Sequence, residues 1–587
     1  MRKEFRNLLP LDEARSTVLD ELPLIELESV PLNRAFGRTL GETITSTVEV
    51  PGFNRASMDG YAVLSEDTLN AREDLPIPLY LVGTVPMGQV SELEVGPGQA
   101  AEVSTGSVIP PGANAVLMVE HSKTDDDTLF VKRPVHVGEN VHMMGGDIAF
   151  GETVLHPGVR LTAREVGLLA AVGNAEVLAK KLSVSVASTG DEIVSPGSQL
   201  KPGQIYDINS YSIGAAVEEC GAFPVVYGIL PDDHDQMAEG LINMARNSAL
   251  IIVSGSTSAG RGDMVYKVLE ELGEVTFHGM NFKPGKPTLF GHLLGKPFFG
   301  LPGYPTSALT VFGQIVAPFI RKVLGTEQKS PEVRGKLARP IRSEGRRQMF
   351  SVGIVGGWVY PVDKGSGSIT TLAQADGVID IPAEVEYLDK DEVVKVHLFG
   401  DYPEPDLLIM GEDSPELEAL VRDLPFRARF VTVGSRRGVL AVQDGVADLA
   451  IVSSSIGVAQ SWPEPVVKRF RRELVFMAQD SDFLDLERVE DMKVIGWSKQ
   501  SEMSKIFQKV LDEKGLIPVK FVGLAKTHSA VAAAVNAGKA DLGFGTRSVA
   551  EDAGLCFVKV AEDEIELLAS IQRQGRKALQ DFVELLS

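Results

Sequence analysis

The sequence predicts a multidomain protein of the α/β plus β class, and three changes of pattern along the chain indicate it. Residues 28–180 consist of short alternating apolar runs separated by glycine and proline, which is typical of β structure with many turns. In residues 181–327, unbroken apolar strands alternate with amphipathic helices, the pattern of a parallel sheet covered on both faces. Residues 328–400 return to β character and predict a small barrel, and residues 406–587 form a second α/β region.

Length and composition are those of an ordinary globular protein. The 587 residues exceed what a single hydrophobic core holds, so about three to five domains are expected. The formal charge is −23, because 80 acidic residues outnumber 57 basic ones. Such a surface repels nucleic acid and anionic membranes, so neither is expected as a partner. An anionic ligand would need a local site of glycine loops, lysines or a bound cation.

The cysteines and the N-terminal segment indicate the compartment. Cys220 and Cys556 lie far apart, which excludes a disulfide framework and a cysteine-based zinc site and favours a reducing cytoplasm. Residues 1–27 predict a helix that packs on the α/β domain, and they lack the apolar core of a signal peptide. No apolar run has the length of a membrane span, so we expect a cytoplasmic protein.

Individual elements follow from periodicity and from helix end signals. A helix is predicted over 162–172, with Thr162 as its N-cap and Gly173 just past its end. In the α/β region, Gly221 and Gly273 are predicted to close two helices. The predicted strands there are 182–187, 223–228, 249–253 and 298–301, and the predicted helices are 209–220, 235–246, 263–272 and 306–324. The predicted barrel strands are 349–355, 359–361 and 393–398.

The C-terminal region follows a proline-containing linker at 402–405 and contains a short internal echo. Residues 445–450, Gly-Val-Ala-Asp-Leu-Ala, resemble residues 538–543, Gly-Lys-Ala-Asp-Leu-Gly, and each segment follows a helical stretch and opens an apolar run. Two similar helix-to-strand turns would explain the echo. A two-lobed module in which each lobe repeats one unit would explain it equally well.

Three strands of the α/β region end in loops of unusual composition, and ligands bind beyond the carboxyl ends of such strands. Loop 188–192 is Ser-Thr-Gly-Asp-Glu, loop 254–263 is rich in serine and glycine, and loop 302–307 is stiffened by two prolines. The second loop fits a phosphate or oxyanion cradle at a helix N-terminus, although a merely flexible loop would have the same composition. Asp263 at its end is either the N-cap of the next helix or a Mg²⁺ ligand.

Charged residues supply further candidates, each with an ordinary alternative. Lys283 and Lys286 lie on a proline-stiffened turn, which is either a fixed positive charge or a solvated surface turn. Asp232 and Asp233 are either a helix start that exploits the dipole or part of a cation site. Asp59, in Met-Asp-Gly-Tyr-Ala, alone could mark an Asp-Gly turn. Together these residues suit a phosphorylated or adenylylated substrate with Mg²⁺.

Residues 1–400 resemble the molybdopterin molybdotransferase (MoeA) family, which includes the C-terminal domain of gephyrin. Seven segments in the family's order carry the resemblance: 51–63, 104–106 with 110–116, 145–148, 188–192, 254–263, 283–287 and 301–307. The resemblance implies a central MogA-like α/β domain between β-rich N-terminal domains and a small β-barrel. It also implies the reaction: Mg²⁺-dependent insertion of molybdate into adenylylated molybdopterin with release of AMP, by a homodimer whose active site lies at the subunit interface.

The resemblance also implies roles for individual residues. Asp59, Glu192 and Asp263 are expected to be catalytic, with Asp59 acting across the interface. Substrate is expected to be bound by Thr105, Asp147, Asp191, Gly255, Ser258, Gly260, Lys283, Lys286, Pro302 and Pro305. Mg²⁺ is expected to be bound among Glu192, Asp232, Asp233 and Asp263. Two departures from the family pattern are Ser256, where the family has glycine, and Tyr304, where it has asparagine.

The C-terminal region, 406–587, is similar to the periplasmic-binding-protein-like domain appended to some MoeA proteins, and residues 527–543 carry this resemblance. Ser529 is expected to cap a helix whose N-terminus faces an oxyanion. Residues 435–438, Ser-Arg-Arg-Gly, and 453–455, Ser-Ser-Ser, are further candidates for the interlobe cleft. Residues 496–502 lack the family's anion loop, so a sensor and a structural or dimer-supporting domain both stay open.

Two alternatives to molybdate insertion remain at this stage. One is a non-catalytic sensor of molybdate or pterin, which the carboxylates at 59, 147, 192 and 263 argue against, because an anion sensor gains nothing from buried carboxylates without a cation. The other is a molybdopterin adenylyltransferase, which shares the α/β domain but not the long β-rich region. If the protein inserts molybdate, such an adenylyltransferase becomes a candidate partner.

Overall fold

The computed structural model describes residues 8–21, 23, 25–90, 92–255, 264–326, 331–362, 368–400, 404–422, 424–454, 463–499, 501–516 and 520–586. The chain divides into two compact units. The first contains Met1–Met280, Pro287–Gly303 and Val311–Gln328, and the second contains Asn281–Lys286, Tyr304–Thr310 and Lys329–Ser587.

The first unit begins with a helix and a β-rich region. Its elements are α1 Leu11–Leu19, β1 Glu26–Pro31, β2 Ile44–Thr45, β3 Arg55–Ala56, β4 Gly60–Val63, β5 Ile77–Val85, β6 Gln99–Val103, β7 Ala115–Met118, β8 Ser122–Asp125, β9 Thr128–Val131, β10 Val141–His142, β11 Thr153–Leu155, α2 Ala163–Ala171 and β12 Glu176–Lys181. Six strands form a mixed sheet in the order β7-β4-β6-β5-β9-β8, and β1 pairs with β12, β2 with β11 and β3 with β10.

Helix α2 is confirmed as predicted, and its ends explain why it forms. Thr162 and Glu165 form a reciprocal capping box, which satisfies two N–H groups at the helix start. Gly173, with φ of +80°, follows the helix end, where a residue with a Cβ would be strained.

The α/β region completes the first unit. Its elements, together with the neighbouring β19 and α6, are β13 Ser183–Thr189, β14 Ile193–Val194, β15 Ile205–Tyr206, α3 Asn209–Glu219, β16 Phe223–Leu230, α4 His234–Asn247, β17 Leu250–Ser254, α5 Met264–Leu272, β18 Gly273–His278, β19 Phe282–Lys283, β20 Leu289–Leu293, β21 Lys296–Leu301, α6 Pro305–Val311 and α7 Ala317–Leu324. Strands β16, β13, β17 and β21 form a parallel core in that order, because their continuous apolar runs are covered by helices. Helix α1 lies beside this region, since Arg15 Nη2 donates to Gln314 Oε1 (2.8 Å).

The sheet differs from the prediction at one edge. We expected an entirely parallel sheet, but β20 and β18 extend it as antiparallel strands. Gly273 does not simply close helix α5, because it is also the first residue of β18. A Cβ at Gly273 would lie 2.0 Å from His292 O, so the strands can approach only because this residue is glycine.

One helical run also corrects the prediction that no segment has membrane-spanning length. By length and composition alone, Pro305–Leu324 passes that test, with 20 residues and a hydropathy of 1.3. The run consists of α6, a π-helical segment at Phe312–Val316 and α7. Its most apolar window is 61% buried inside the protein, and core helices of soluble proteins pass the same test.

The second unit begins with the small barrel. Its elements are β22 Glu332–Leu337, β23 Ile341–Arg342, β24 Arg347–Val355, β25 Trp358–Pro361, α8 Ile369–Gln374, β26 Gly377–Ile381, β27 Tyr387–Leu388 and β28 Val393–Leu398. Strands β24, β25, β22, β28 and β26 close into a ring, because β26 pairs back to β24. Val352, Val359 and Val396 are buried in its core. Strand β19 joins this sheet by pairing with β24.

The C-terminal domain has two lobes. Its elements are β29 Leu407–Gly411, α9 Pro415–Arg422, β30 Ala428–Thr432, α10 Ser435–Gln443, β31 Leu449–Ser453, β32 Val466–Ala478, β33 Lys493–Trp497, α11 Met503–Lys514, β34 Lys520–Ala525, α12 His528–Asn536, β35 Gly543–Thr546, α13 Arg547–Asp552, β36 Cys556–Ala569 and α14 Lys577–Leu586. We call β29–β31 with α9 and α10 the first lobe, and β33–β35 with α11, α12 and α13 the second lobe. The long strands β32 and β36 pair with each other and connect the lobes, since β36 pairs with β31 and β32 with β35.

The internal echo corresponds to a repeated structure. In the first lobe, the Asp448 carboxylate accepts a hydrogen bond from Leu408 N, and Asp448 N donates to Leu408 O. In the second lobe, Asp541 makes the same two bonds with Lys493. Each aspartate thus ties a helix-to-strand turn to the first strand of its lobe, as the two-lobed interpretation predicts.

The barrel and the first lobe share one hydrophobic core. Val355 and Tyr360 from the barrel pack in a single buried cluster with Leu408, Val439 and Leu568 of the C-terminal domain. At its edge, Arg429 donates to both oxygens of Asp376, at 2.9 and 2.7 Å, and both side chains are buried.

Candidate functional site

The carboxyl ends of the three parallel strands β13, β17 and β21 meet in the first unit. Gly255 N donates to Leu301 O (3.1 Å), which joins the ends of β17 and β21. Gly255 has φ of +107°, and a Cβ on it would lie 2.6 Å from Thr189 O at the end of β13. A Cβ on Gly303 would lie 3.5 Å from the Gly255 Cα. Backbone segments therefore approach each other closely, as the glycine content of these loops predicts.

Asn209, the first residue of helix α3, clamps two of these strand ends. Its Nδ2 donates to Ser254 Oγ (2.8 Å) and to Gly303 O (2.7 Å), and Ser254 Oγ donates to Pro302 O (2.9 Å). The side chain is 6% exposed, so it is held inside the protein. The bonds fix the position of the loop after β21 relative to the end of β17.

Two buried oxygens at this clamp have no hydrogen-bond partner within the described part of the chain. They are Asn209 Oδ1 and Thr189 Oγ1, and Thr189 is 3% exposed. A buried polar atom without a partner costs about 1–3 kcal/mol, so native proteins rarely keep one without a reason. An oxygen acceptor and a hydroxyl that can donate or accept therefore lie ready for a polar ligand.

A second buried network supports the end of β13. Ser188 Oγ donates to Asp207 Oδ1 (2.6 Å), and the same carboxylate oxygen accepts from Ser210 N (3.1 Å). Asp207 thereby satisfies an N–H at the start of α3 and holds that helix against the strand end. Thr189 lies in the loop 188–192 that was singled out from the sequence, but neither it nor Asp207 or Asn209 was expected to bind a ligand. The signal for Asp207 and Asn209 is the segment Asp-Ile-Asn-Ser at 207–210, whose polar residues stand at the start of helix α3.

The carboxylates expected to bind Mg²⁺ lie on neighbouring loops. Asp191 Oδ1 accepts from Asp232 N (3.0 Å), which brings loop 188–192 beside the loop after β16. Asp233 caps helix α4 by accepting from Gln236 N (3.0 Å). Glu192 is exposed, and its carboxylate lies over Gly190. Among the residues that the structure describes, these acids do not gather into a cluster of three or more with metal-binding geometry.

Several expected site residues fall elsewhere. Ser258, Gly260, Asp263 and the departure at Ser256 lie outside the described residues. Lys283, which we expected to belong to the α/β domain, is held by the barrel sheet through β19, and its Nζ pairs with Glu344 Oε1 (2.5 Å). Lys286, Tyr304 and Pro305 also belong to the second unit. Lys286 is exposed, Tyr304 is 62% exposed, and Pro305 is the first residue of α6.

Asp59 and Thr105 lie together on the β-rich region of the first unit. Asp59 Oδ1 accepts from Thr105 N (2.6 Å) and from Thr105 Oγ1 (3.0 Å). The backbone bond from Thr105, followed by the hydroxyl bond, lowers the pKa of this exposed carboxyl below its ordinary value. The next residue, Gly60, must be glycine because β4 lies between β6 and β7 in the sheet. A Cβ at this position would lie 2.0 Å from Leu117 O. Asp59 is thus an ionised side chain fixed in one orientation.

The segment that contains Asp147 packs on the same surface. Asp147 N donates to Val50 O (3.0 Å), and Gly145 N donates to Pro51 O (3.0 Å). Strand β10 pairs with β3, so segments 51–63, 104–106 and 145–148 are gathered in one place. The side-chain hydrogen bonds described for Asp59 are made with Thr105, and the one described for Asp191 is made with Asp232, so each lies within its own region.

Comparison with protein-family models matches four successive parts of the chain. The MoeA N-terminal region (domain I and II) matches residues 9–173, and the "Probable molybdopterin binding domain" matches 185–322. The MoeA C-terminal region (domain IV) matches 334–399, and the PBP superfamily domain matches 418–587. The fold is therefore a MoeA-like multidomain architecture with a small barrel and a binding-protein-like domain at its C-terminal end.

Named relatives agree with these matches. The molybdopterin molybdenumtransferase of Haemophilus influenzae is 37% identical over 55% of this chain and 79% of its own length. Molybdopterin molybdenumtransferase 2 of Mycobacterium tuberculosis is 34% identical over 61% of this chain and 91% of its own. A crystal structure of the molybdopterin biosynthesis MoeA protein from Pyrococcus horikoshii is 38% identical, covers 68% of this chain and all of its own, and has a TM-score of 0.62. The family matches and the named relatives define a protein of molybdopterin biosynthesis. The chain belongs to the molybdopterin molybdenumtransferase (MoeA) family.

Proposed function

We propose that this protein is a cytoplasmic molybdopterin molybdotransferase, which inserts molybdate into adenylylated molybdopterin and releases AMP in molybdenum cofactor biosynthesis. The observation that carries the proposal is the pair of unpaired buried oxygens, Thr189 Oγ1 and Asn209 Oδ1, inside the region matched by the molybdopterin-binding family model. A pterin presents ring N–H groups, ring nitrogens and a carbonyl, which are the partners that an amide oxygen and a hydroxyl require. The relatives' names supply the reaction.

The chain's own residues would bind and orient the substrate. Gly255, Thr189 and Gly303 approach each other closely, and at the two glycines no side chain would stand between the backbone and a bound ligand. Asn209 holds two of these segments in register through its Nδ2 bonds. Asp59, kept ionised by Thr105, would act from the β-rich region of the partner copy, as the family resemblance implies.

The proposed reaction requires Mg²⁺, but the described residues do not form a metal site. It would supply positive charge to the diphosphate of the substrate, and Glu192, Asp232 and Asp233 are the described residues expected to bind it. These three do not form a cluster suited to a metal among the described residues. A requirement for Mg²⁺ is tested by removing divalent ions and restoring Mg²⁺ alone.

The test is a reaction of the purified full chain with adenylylated molybdopterin and molybdate. We expect AMP to be released only when molybdate is present, and chromatography measures this release. We also expect a product that activates a cofactor-free molybdenum enzyme. An adenylyltransferase would instead consume ATP and molybdopterin, and a sensor would bind the substrate without releasing AMP. Either outcome would contradict the proposal.

Two substitutions test the assigned residues. Asp59→Asn and Asp263→Asn should each lower the rate of AMP release by about 100-fold or more, because the family resemblance implies that each carboxylate is catalytic and each substitution removes its charge. Asp67→Asn is the matched control, since Asp67 also accepts a backbone hydrogen bond (from Gly98 N, 2.7 Å) in the same β-rich region. Full activity in Asp59→Asn would refute the role given to this residue.

A homodimer with a shared site is proposed as well. The edge strand β16 supports it, because Val225, Val226 and Tyr227 are between 39 and 47% exposed on a strand with one free edge. If Asp59 and Asp263 of different subunits meet, dimers mixed from the two inactive variants contain one intact site and regain activity. No recovery after subunit exchange, monitored by differently tagged chains, would place both residues in one subunit's site.

A further inference from the structure

The cleft between the two lobes of the C-terminal domain contains two consecutive acidic residues. Glu412 and Asp413 follow strand β29 directly, at the carboxyl end of a parallel strand, where α/β domains bind their ligands. They are only 3% and 7% exposed. Buried carboxylates require strong partners, because desolvation of a charge is costly. Their partners come from both lobes.

Glu412 accepts hydrogen bonds at the N-terminal ends of two helices. From the first lobe, Ser435 N (2.8 Å) and Ser435 Oγ (3.1 Å) donate to its Oε1 at the start of α10. From the second lobe, Glu502 N (3.1 Å) donates to Oε1 and Ser501 Oγ (2.8 Å) donates to Oε2, in front of α11. Helix N-termini are the usual binding sites of anions in such folds. The Glu412 carboxylate therefore occupies the position that an external oxyanion would take.

Asp413 makes the equivalent bond to a third helix. His528 N, at the start of α12 in the second lobe, donates to Asp413 Oδ2 (2.6 Å). Arg472 Nη1, on the connecting strand β32, donates to Asp413 O (3.0 Å). At the cleft margin, Ser548 Oγ of the second lobe donates to Glu416 Oε1 of the first (2.7 Å). The lobes are thus joined by side chains of the protein itself.

The charges of the cleft disfavour an additional anion. The guanidinium of Arg472 is committed to Asp563, at 2.7 Å, with both side chains almost completely buried. His528 is buried, and desolvation lowers its pKa well below the ordinary value, so its ring is neutral. A tetrahedral dianion would have to enter beside Glu412 and Asp413, and the buried guanidinium of Arg472 is already neutralised by Asp563.

We propose that the C-terminal domain is self-liganded: Glu412 fills the anion position and locks the two lobes closed, so the domain binds no external oxyanion while Glu412 is present. The helix ends that would bind an anion are intact, but their N–H groups are already used. Of the two roles that the sequence leaves open, this favours a rigid structural module over a sensor. The proposal is independent of the reaction assigned to the first unit.

The test compares sulfate and molybdate binding to the full chain by isothermal titration calorimetry. In Glu412→Ala the donors lose their partner, and we expect sulfate to bind about 100-fold more tightly than to the unaltered protein, as one or two charge-assisted hydrogen bonds would provide. Glu412→Gln is the matched control, because its amide still fills the position and no gain is expected. The double variant Glu412→Ala/Ser501→Ala should lose the gain, which separates this cleft from any anion site in the first unit.

Three outcomes decide the proposal. A gain that depends on Ser501 in Glu412→Ala supports it, and a folded Glu412→Ala that gains nothing overturns it. Binding of molybdate or sulfate to the unaltered protein that disappears in Ser501→Ala overturns it as well, because the cleft would then accept an external anion. This last comparison needs only the single Ser501→Ala variant, so it decides the question even if Glu412→Ala does not fold, and absence of such binding supports the proposal.

Discussion

The strand-end site of the α/β region and the cleft of the C-terminal domain are built from the same parts, but they treat their polar groups differently. Both lie beyond parallel strands and beside helix N-termini. At the first site, Thr189 Oγ1 and Asn209 Oδ1 have no partner in the described chain. In the C-terminal cleft, the N–H groups of Ser435, Glu502 and His528 all donate to carboxylates of the protein. Two polar atoms of the first site therefore remain for a ligand, whereas the helix N–H groups of the cleft are already bonded within the protein.

Among substitutions that test this difference between the two sites, removal of a buried charge from the cleft should have the largest effect on stability. Asp563→Asn leaves the Arg472 guanidinium without its partner, and both side chains are at most 2% exposed. We expect the free energy of unfolding of the C-terminal domain to fall by about 3–5 kcal/mol. Urea denaturation followed by tryptophan fluorescence measures this change. Arg471→Ala is the control, since that neighbouring side chain is 85% exposed and should change little.

A second test uses the pH dependence of the cleft. The pKa of Asp413 is raised to about 6: burial is the largest cause, Glu418 and Glu416 act in the same direction, and the His528 N–H bond and Arg472 oppose it. The folded state therefore takes up this proton before the unfolded state, so stability from Asp413 rises as pH falls from about 6 toward 4. At pH 7 and above, the ionised group costs up to about 3 kcal/mol.

Asp413→Asn should remove that cost while keeping an oxygen for His528 N. We expect the variant to be more stable than the unaltered protein at pH 7–8 and to lose the advantage near pH 4. His528 changes stability in the opposite direction, because its lowered pKa makes acid destabilising, so the difference between the two proteins is the quantity to measure. Asp512→Asn, exposed on α11, is the control. A variant less stable at pH 8 would contradict the expected sign.

Loss of one paired hydroxyl from the cleft should have a smaller effect. Ser501 Oγ donates to the Glu412 carboxylate, and Ser501→Ala leaves that oxygen without this donor. The expected loss of stability is about 2 kcal/mol, as for a hydrogen bond to a charged group. The rate of AMP release should be unchanged, which separates the cleft from the proposed catalytic site.

The corresponding change at the strand-end site should have the smallest effect on stability. Thr189→Val replaces an unpaired hydroxyl by a methyl group of similar size, so the free energy of unfolding should change by less than about 1 kcal/mol. Substrate affinity should fall instead, measured as an increase in KM for adenylylated molybdopterin. A large loss of stability with unchanged KM would mean that Thr189 serves the fold and not a ligand.

The sequence predicted those features that depend on local pattern. Helix α2, with its capping box at Thr162, and the strand-helix alternation of the α/β region follow directly from residue order. The antiparallel strands β18 and β20 were missed, because Gly273 satisfies the rule for a helix end as well as the steric need of a strand pair. The helix cap at α12 was assigned to Ser529, but Thr527 makes it by accepting from Ala530 N.

The strand-end site could be predicted in part from the sequence, whereas the role of Glu412 in the C-terminal cleft could not. Loops 188–192 and 254–263 were singled out because each follows a predicted parallel strand and has an unusual composition, and residues 189 and 255 do meet at the strand ends. Asn209 was not selected, because a single asparagine at a helix start normally means a cap. The role of Glu412 was hidden as well, since nothing in Gly-Glu-Asp-Ser states that donors from a lobe 90 residues away will surround the carboxylate.

The shared core of barrel and first lobe limits how this chain can be shortened. A chain ending at residue 400 would leave Tyr360 and Val355 facing water and the Asp376 carboxylate without Arg429. We expect a protein truncated at residue 400 to aggregate and to express poorly, even though it retains every region that matches the MoeA family models. Any replacement of residues 406–587 that keeps the barrel would therefore have to supply new apolar cover for Tyr360 and a new cation for Asp376.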